Sequence, residues 1–548
     1  MNNIYIFVLA LPITPYNYPM SLTIKSLTYI HPDNQELFFE LTLSINRGEK
    51  AALVGINGVG KSTLLKMIAG IMLPTSGEIS TGEKPWYVPQ HLGEYDQITI
   101  AEALRMDKKL AALQAILGGS ADPQYFTNLD DDWEIEKKVE AALQKWGLED
   151  FSLDEKLGNL SGGQKTKVFL AALDLHEPEL ILLDEPSNHL DASTRKKLYN
   201  LIVQSKATIL VVSHDRSLLN LMNKTLELSK KGITVFGGNF EFYQQQKEEQ
   251  VNSLNTQLNE QVKTLKQTEK KAREVAYKRQ IQESRGRSAG QGNSMPRIIA
   301  GGLKSKSERS TAKVLDAHNE KISNLAEIMR ETKSQILQYQ VLQINIRASG
   351  LHPGKILVDA QNLYFAYQAK PLWSELSFQI RSGERIRIEG KNGSGKTTLL
   401  KIITGNLEAL GGNFSRAEFS YLYLDQDYTL INPKLSIYEQ VQHYNTRGLQ
   451  EHEIKALLIY SQFDAAAFDR KCEGLSGGEK MKLGLCCLSV SNQAPDILIL
   501  DEPTNNLDVQ SLEILTAAVK DFEGTLLVIS HDDYFINEIG INKSIILS

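Results

Sequence analysis

The stretch Gly55-Ile56-Asn57-Gly58-Val59-Gly60-Lys61-Ser62 has a counterpart in the second half of the chain, Gly390-Lys391-Asn392-Gly393-Ser394-Gly395-Lys396-Thr397. Each follows an apolar strand pattern, Ala51 to Val54 in the first case and Arg385 to Glu389 with alternating isoleucines in the second. Each opens a helix rich in leucine and lysine. That context marks both as phosphate-binding loops. Their glycines let backbone N–H groups turn inward around phosphate oxygens, and the lysine reaches the terminal phosphates. The Ser62 or Thr397 hydroxyl holds magnesium at the positive end of the helix. Thr63 and Thr398, next along each helix, join Gly55, Asn57, Gly58, Gly60, Gly390, Asn392, Gly393 and Gly395 as nucleotide-binding candidates.

Working outward, each copy continues with the same two motifs in the same order. Leu160-Ser161-Gly162-Gly163-Gln164 precedes Leu180-Ile181-Leu182-Leu183-Asp184-Glu185-Pro186. Leu475-Ser476-Gly477-Gly478-Glu479 precedes Ile497-Leu498-Ile499-Leu500-Asp501-Glu502-Pro503. Four apolar residues before an Asp-Glu pair predict a buried parallel strand that delivers two carboxylates to its C-terminal end, where doubly wound sheets bind ligands. Asp184 and Asp501 can serve magnesium there. Glu185 and Glu502 can orient or deprotonate a water in line with the terminal phosphate. A third strand in each copy ends Ser213-His214-Asp215 or Ser530-His531-Asp532, which places a histidine at the same sheet edge.

With 548 residues the chain exceeds one hydrophobic core and suits two or more domains. Hydrophobic residues at 42% and charged residues at 23% fit a globular protein rather than a disordered or collagenous one. Three cysteines, Cys472, Cys486 and Cys487, exclude a disulfide framework or a four-cysteine metal site within the chain and fit a reducing cytosol. The apolar run Ile4 to Leu11 is too short for the ~20 residues that span a bilayer. It has no basic n-region, so the strand pattern from Met20 is read as the first functional segment and residues 1–19 as an extension without function.

The order of phosphate loop, glutamine, LSGGQ-like motif, Asp-Glu and histidine resembles that of the ATP-binding cassette ATPases. The resemblance implies that the LSGG segment of one cassette faces the ATP held by the loop of the other. One site then combines Lys61, Ser62, Gln90, Asp184, Glu185 and His214 with Ser476, Gly477 and Gly478. Its counterpart combines Lys396, Thr397, Gln426, Asp501, Glu502 and His531 with Ser161, Gly162 and Gly163. Gln90 and Gln426 are implied to assist both catalysis and magnesium. Tyr367 is the implied base-stacking aromatic of the second cassette; in the first, Tyr29 and His31 compete. Ser187, Asn506 and Asp533 depart from the usual pattern at positions suited to tune coupling.

Tandem cassettes occur in transporters, DNA-repair ATPases and ribosome factors, so the connector discriminates. From about Tyr243 to Ser284, apolar residues recur at Val251, Leu254, Leu258, Val262, Leu265, Ala272 and Ala276. Past a glycine-rich break they recur at Leu315, His318, Ile322, Leu325, Met329, Ile336 and Tyr339. Two such stripes predict an antiparallel coiled-coil hairpin. Between Lys263 and Lys313 stand fourteen basic residues against four acidic ones, a net +10; the whole chain is −6, which leaves −16 elsewhere. A basic probe on an acidic body is the footprint of phosphate-backbone binding. The tip, about residues 285–303, carries Arg285, Arg287 and Arg297, with Lys304 and Lys306 just beyond.

Two cassettes, a charged hairpin between them and the exit run Gly238-Asn239-Phe240-Glu241-Phe242-Tyr243 resemble the ABC-F family. The fold implied is α/β: cassettes at 20–242 and 351–548 joined by a helical hairpin over 243–350, with a helical arm inserted at about 104–147. The spacing from Gln90 to Ser161 is 71 residues against 50 from Gln426 to Ser476, which leaves room for extra helical structure in the first cassette. The resemblance implies an ATP- and magnesium-dependent, cytoplasmic, monomeric ATPase. It also implies binding near the ribosome's tRNA exit site, with the hairpin directed at rRNA and tRNA, as a translation factor or an antibiotic-resistance factor. A transporter ATPase with separate membrane subunits does not need a basic coiled coil, and a DNA-repair ATPase typically carries zinc-binding cysteine pairs.

Overall fold

The computed structural model describes residues 20–32, 34, 36–188, 190–289, 320–333, 335–336, 350–367, 370–391, 393–426, 428–492, 495–505 and 507–547. The extension 1–19, Asn392, Asn506, and Arg297, Lys304 and Lys306 of the linker lie outside them, as do Leu315, His318 and Tyr339. The chain divides into two compact units, Met1–Phe242 with Gln343–Ser548 and Tyr243–Leu342.

In the first unit, short apolar runs become central parallel strands because both of their faces are covered. The first cassette has strands β1 (Met20–Ile30), β2 (Glu36–Asn46), β3 (Lys50–Val54), β4 (Ser76–Thr81), β5 (Trp86–Val88), β6 (Leu180–Asp184), β7 (Thr208–Val212), β8 (Lys224–Ser229) and β9 (Gly232–Phe236). One sheet runs β5-β6-β7-β3-β8-β9, parallel except for the β8–β9 hairpin; β2-β1-β4 form a separate antiparallel sheet. Every residue of β6 and β7 is buried. Leu22, Ile24 and Ile45 of the antiparallel sheet join Leu53, Leu64 and Leu182 in one core, so the helix that follows the phosphate loop is clamped between the two sheets.

The second cassette repeats the plan with β10 (Ile356–Tyr367), β11 (Lys370–Arg381), β12 (Arg385–Gly390), β13 (Gly411–Arg416), β14 (Tyr421–Leu424), β15 (Ile497–Asp501), β16 (Thr525–Ile529) and β17 (Lys543–Leu547). Its parallel sheet is β14-β15-β16-β12-β17 and its antiparallel sheet β11-β10-β13. In both cassettes the strand carrying the Asp-Glu pair lies between the strand before the glutamine and the strand before the histidine. All three therefore end at one edge.

The first cassette carries two helices without a counterpart in the second, Asp107–Leu117 and Pro123–Leu129, ahead of Ile135–Trp146, which precedes its LSGG segment as Glu451–Tyr460 precedes the other; the three pack through Leu110, Leu113, Leu129, Val139 and Trp146. Their junction is fixed by Arg105, whose guanidinium lies 4.0 Å over the Trp86 ring, and by Trp146, whose indole N–H donates to Asp174 at 2.7 Å. At the exit run, Phe240 is fully buried and Asn239 accepts a hydrogen bond from the Phe242 N–H, which starts a helix spanning Phe240–Ala289.

In the second unit that helix lies beside a helical stretch, 320–333, as a coiled-coil-like hairpin, with the Gln261 amide donating to the Thr332 hydroxyl at 3.2 Å. The seam runs through half-buried Val251, Leu254, Leu258, Val262, Leu265 and Ala272 against Ile322, Leu325 and Met329, with Ile336 buried. Among the described residues it departs from the expected stripe at Ala276, which is exposed, whereas the neighbouring Val275 is half-buried. Lys263, Lys266, Lys270, Lys271, Arg273 and Lys278 all face solvent.

Candidate active site

Each phosphate loop depends on a glycine where the chain enters the helix. Gly60 has φ +101° and a Cβ there would stand 2.6 Å from the Phe38 ring; Gly395 has φ +91° and would meet Leu372 at 2.8 Å. A larger residue is excluded both by backbone strain and by contact. The lysines fold over the loops: Lys61 donates to the carbonyls of Gly55 (2.8 Å) and Ile56 (3.2 Å), and Lys396 to those of Gly390 (2.9 Å) and Lys391 (3.2 Å). Burial lowers the pKa of both ammonium groups, against the pull of neighbouring carboxylates.

Behind the loops the hydroxyls meet the strand carboxylates. Ser62 donates to Asp184 at 3.0 Å and to the Gln90 carbonyl oxygen at 3.5 Å, and Thr397 donates to Asp501 at 3.1 Å. Hydroxyl, carboxylate and amide oxygens form a hard donor set that fits magnesium. One residue on, Glu185 and Glu502 sit in the left-handed region at φ +52° and +49°, so each carboxylate turns away from the strand toward the histidine. The His214 ring Nε2 stands 3.0 Å from Glu185 and that of His531 3.4 Å from Glu502. Neither approach has hydrogen-bond alignment, and oxygens of both glutamates stay buried without a partner. Burial pushes both carboxyls above the ordinary glutamate range; it lowers His214, and lowers His531 to about 4, so both rings are neutral at pH 7. A base-like carboxyl beside a neutral imidazole, a lysine and a hard-oxygen pair can activate water against a phosphate.

The first site is composite. A cavity of about 660 Å³ is lined by Asn57, Gly58, Gly60, Lys61, Ser62, Thr63, Gln90, Glu185 and His214 of one cassette and by Gln426, Tyr428, Ser476, Gly477 and Lys480 of the other. Ser476 and Gly477 thus face the loop of Lys61, with Gly478 buried behind them. Gln426 lines this cavity as well, although it belongs to the cassette of Lys396. The reciprocal segment differs: Ser161 and Gly162 are exposed and Gly163 half-buried. Both LSGG serines cap their helices, accepting from the N–H of Gln164 and of Glu479.

Strand register separates the two aromatic candidates of the first cassette. Tyr29 pairs with Phe38 as Phe365 pairs with Trp373, which puts His31 level with Tyr367. His31 also lines the cavity, while Tyr367 is 52% exposed at the second site.

Three kinds of residue escaped the motif reading. Asp508 caps the helix after the second Asp-Glu motif and accepts from the Asn57 N–H of the opposite loop at 2.9 Å. Burial works to raise its pKa, but hydrogen bonds from Ser511 and Asn57 hold the carboxyl below its usual range. Arg195 crosses the other way, donating to the His531 carbonyl at 3.3 Å. Tyr87 and Tyr423 donate to Asp184 and Asp501 at 3.1 and 2.8 Å. The signals were present: Asp191 and Asp508 stand at equal distances after Asp184 and Asp501, and each tyrosine precedes its glutamine by the same interval.

The model of the ABC transporter family matches residues 38–188 and 373–505, just over half of the chain. The chain is 28% identical over 539 residues to ABC transporter F family member 5 of Arabidopsis thaliana, covering 92% of this chain and 72% of that protein. It is 28% identical over 543 residues to the energy-dependent translational throttle protein EttA of Haemophilus influenzae, covering 94% and 90%. A solved complex of archaeal ribosomal stalk protein aP1 and archaeal ribosome recycling factor aABCE1 aligns over 94% of this chain and 86% of that one, with TM-score 0.56 and 20% identity. The chain belongs to the ABC transporter family, as an ATP-binding, ATP-hydrolysing tandem-cassette protein of the ABC-F type. No helix among the described residues is long and apolar enough to cross a membrane.

Proposed function

We propose that the protein is a cytoplasmic, magnesium-dependent ATPase that binds the ribosome near the tRNA exit site and acts on translation through its basic hairpin, as a translation or antibiotic-resistance factor. The observation that carries this reading is the segregation of charge: +10 between Lys263 and Lys313 on a chain of −6, with the described lysines of that segment all exposed. Surface cations on a long hairpin suit the closely spaced phosphates of folded RNA. The similarity to a translational throttle protein over nearly the whole length of both chains supports the same reading.

In this account the working parts are cassettes at 20–242 and 351–548 and a hairpin over 243–350. Backbone amides of the two loops, with Lys61 and Lys396, bind the phosphates of two ATP molecules; His31 and Tyr367 stack on the bases; Ser476 to Gly478 close the first site and Ser161 to Gly163 the second. Ser62, Asp184 and Gln90 would hold magnesium at the first site and Thr397 and Asp501 at the second, where Gln426 would have to turn from the first cavity to join them; the ion when bound neutralises charge on the phosphate oxygens. Glu185 and Glu502 take a proton from the attacking water, with the neutral rings of His214 and His531 beside them and the backbone N–H groups of the same histidines donating to the carboxylates. The test is cell-free translation with the full-length Glu185→Gln/Glu502→Gln variant, which should retain ATP and arrest peptide synthesis. Undisturbed synthesis at saturating variant would remove the translational reading and leave the ATPase.

A further inference from the structure

We infer that Tyr87 and Tyr423 are positioning residues that hold the magnesium-binding carboxylates of the two sites, an inference that rests on the assignment of Asp184 and Asp501 to magnesium. The same arrangement arises twice from different sequence. Tyr87 lies on β5 opposite Leu182 of β6, and Tyr423 lies on β14 opposite Ile499 of β15. Partners in a parallel sheet share a face, and so does the residue two further along, which is Asp184 in one case and Asp501 in the other. Two residues of strand span about 6.6 Å, a distance that a phenol hydroxyl bridges and that a serine or threonine at the same position cannot.

The carboxylates are thereby gripped from two directions. Asp184 takes Ser62 on one oxygen and Tyr87 on the other; Asp501 takes Thr397 and Tyr423 on the same oxygen, at 3.1 and 2.8 Å. Asp184 is 1% exposed and Asp501 7%, so water has little access to replace a lost donor. A carboxylate oriented by a fixed outer donor spends less freedom on binding a cation, which is how outer partners tune metal sites generally. Each tyrosine also stands three residues before the glutamine at the nucleotide edge, so its hydroxyl ties the strand that leads to Gln90 or Gln426 to the carboxylate strand.

The test uses the full-length protein with Tyr87→Phe, Tyr423→Phe and the pair, which keep the ring and remove only the donor. Mn²⁺ affinity is read by electron paramagnetic resonance with a non-hydrolysable ATP analogue bound; affinity for the same analogue is read separately in chelator. Loss of one hydrogen bond to a charged group should weaken Mn²⁺ binding by about tenfold per altered site. Metal-free nucleotide affinity should hold, and the Mg²⁺ needed for half-maximal hydrolysis should rise while the rate at saturating Mg²⁺ stays near that of the wild type. Mn²⁺ affinity unchanged in the pair, or an equal loss of metal-free nucleotide binding, overturns the inference. A wild type that binds no Mn²⁺ with the analogue would overturn the magnesium assignment itself, a result distinguishable from the first two.

Discussion

The two nucleotide sites share every motif and differ in what crosses to them from the opposite cassette. At the first, Lys61 is 7% exposed, Asp508 of the second cassette is hydrogen-bonded to the loop, and the position four residues past Asp508 is the buried, uncharged Leu512. At the second, the position four residues past Asp191 is Arg195, which reaches the His531 backbone and whose charge works against the burial that raises Glu502. Glu185 has only Lys61 as a cationic counterweight to complete burial. Motif residues set the chemistry common to both sites; residues outside the motifs set how hard each glutamate is to ionise.

The largest effect should follow removal of both bases. Glu185→Gln with Glu502→Gln is expected to cut phosphate release by about 100-fold or more while ATP stays bound. Rapid-quench phosphate assays with filter-retained nucleotide check this, and turnover near the wild-type rate breaks the assignment for both sites at once. Next comes sharing between cassettes. Ser476→Arg puts a charge into the cavity of Lys61 and should weaken labelling of that loop by a photoreactive ATP analogue about tenfold. Ser161→Arg, at an exposed position, should disturb the loop of Lys396 less. Equal losses would erase the comparison.

A smaller effect isolates the charge difference. In a Glu185→Gln background, which leaves hydrolysis to the second site, Arg195→Leu copies the first site's residue. Removing a positive charge raises the Glu502 pKa further, so the ascending limb of kcat/KM against pH should move to higher pH. A limb that stays put denies Arg195 its role. The smallest change is Asp508→Asn. The folded pKa of Asp508 lies below its unfolded one, so its contribution to stability is present above about pH 4 and lost as pH falls through the lower folded value. The variant should unfold about 1 kcal/mol more easily at pH 7, with that gap closing in acid, as thermal melts across pH can show.

The sheets were legible because four apolar residues before Asp-Glu leave a chain no alternative to a doubly covered strand, and the loops because glycine spacing there is dictated by phosphate. Arg195 and Leu512 were not: each is an ordinary helix residue until a second cassette stands opposite. Tyr87 and Tyr423 read as core aromatics, since only strand register shows a carboxylate two residues ahead on the same face. The hairpin seam was nearly complete, yet Thr268 and Thr332 were passed over as polar. Both are buried, with hydroxyls donating back to the carbonyls of Thr264 and Ile328, so burial in the seam leaves neither hydroxyl without a partner.

Paired ATP sites that deliver a basic hairpin to the ribosome should leave one signature in ribosome co-sedimentation of the Glu185→Gln/Glu502→Gln variant over a salt series. Pelleting should require ATP and fall with salt, and the further replacement of Arg285, Arg287, Arg297, Lys304 and Lys306 by glutamine should flatten the log–log slope by up to about 4 units while ATP binding holds. Pelleting that ignores ATP, with a slope unchanged by the five replacements, would contradict the account.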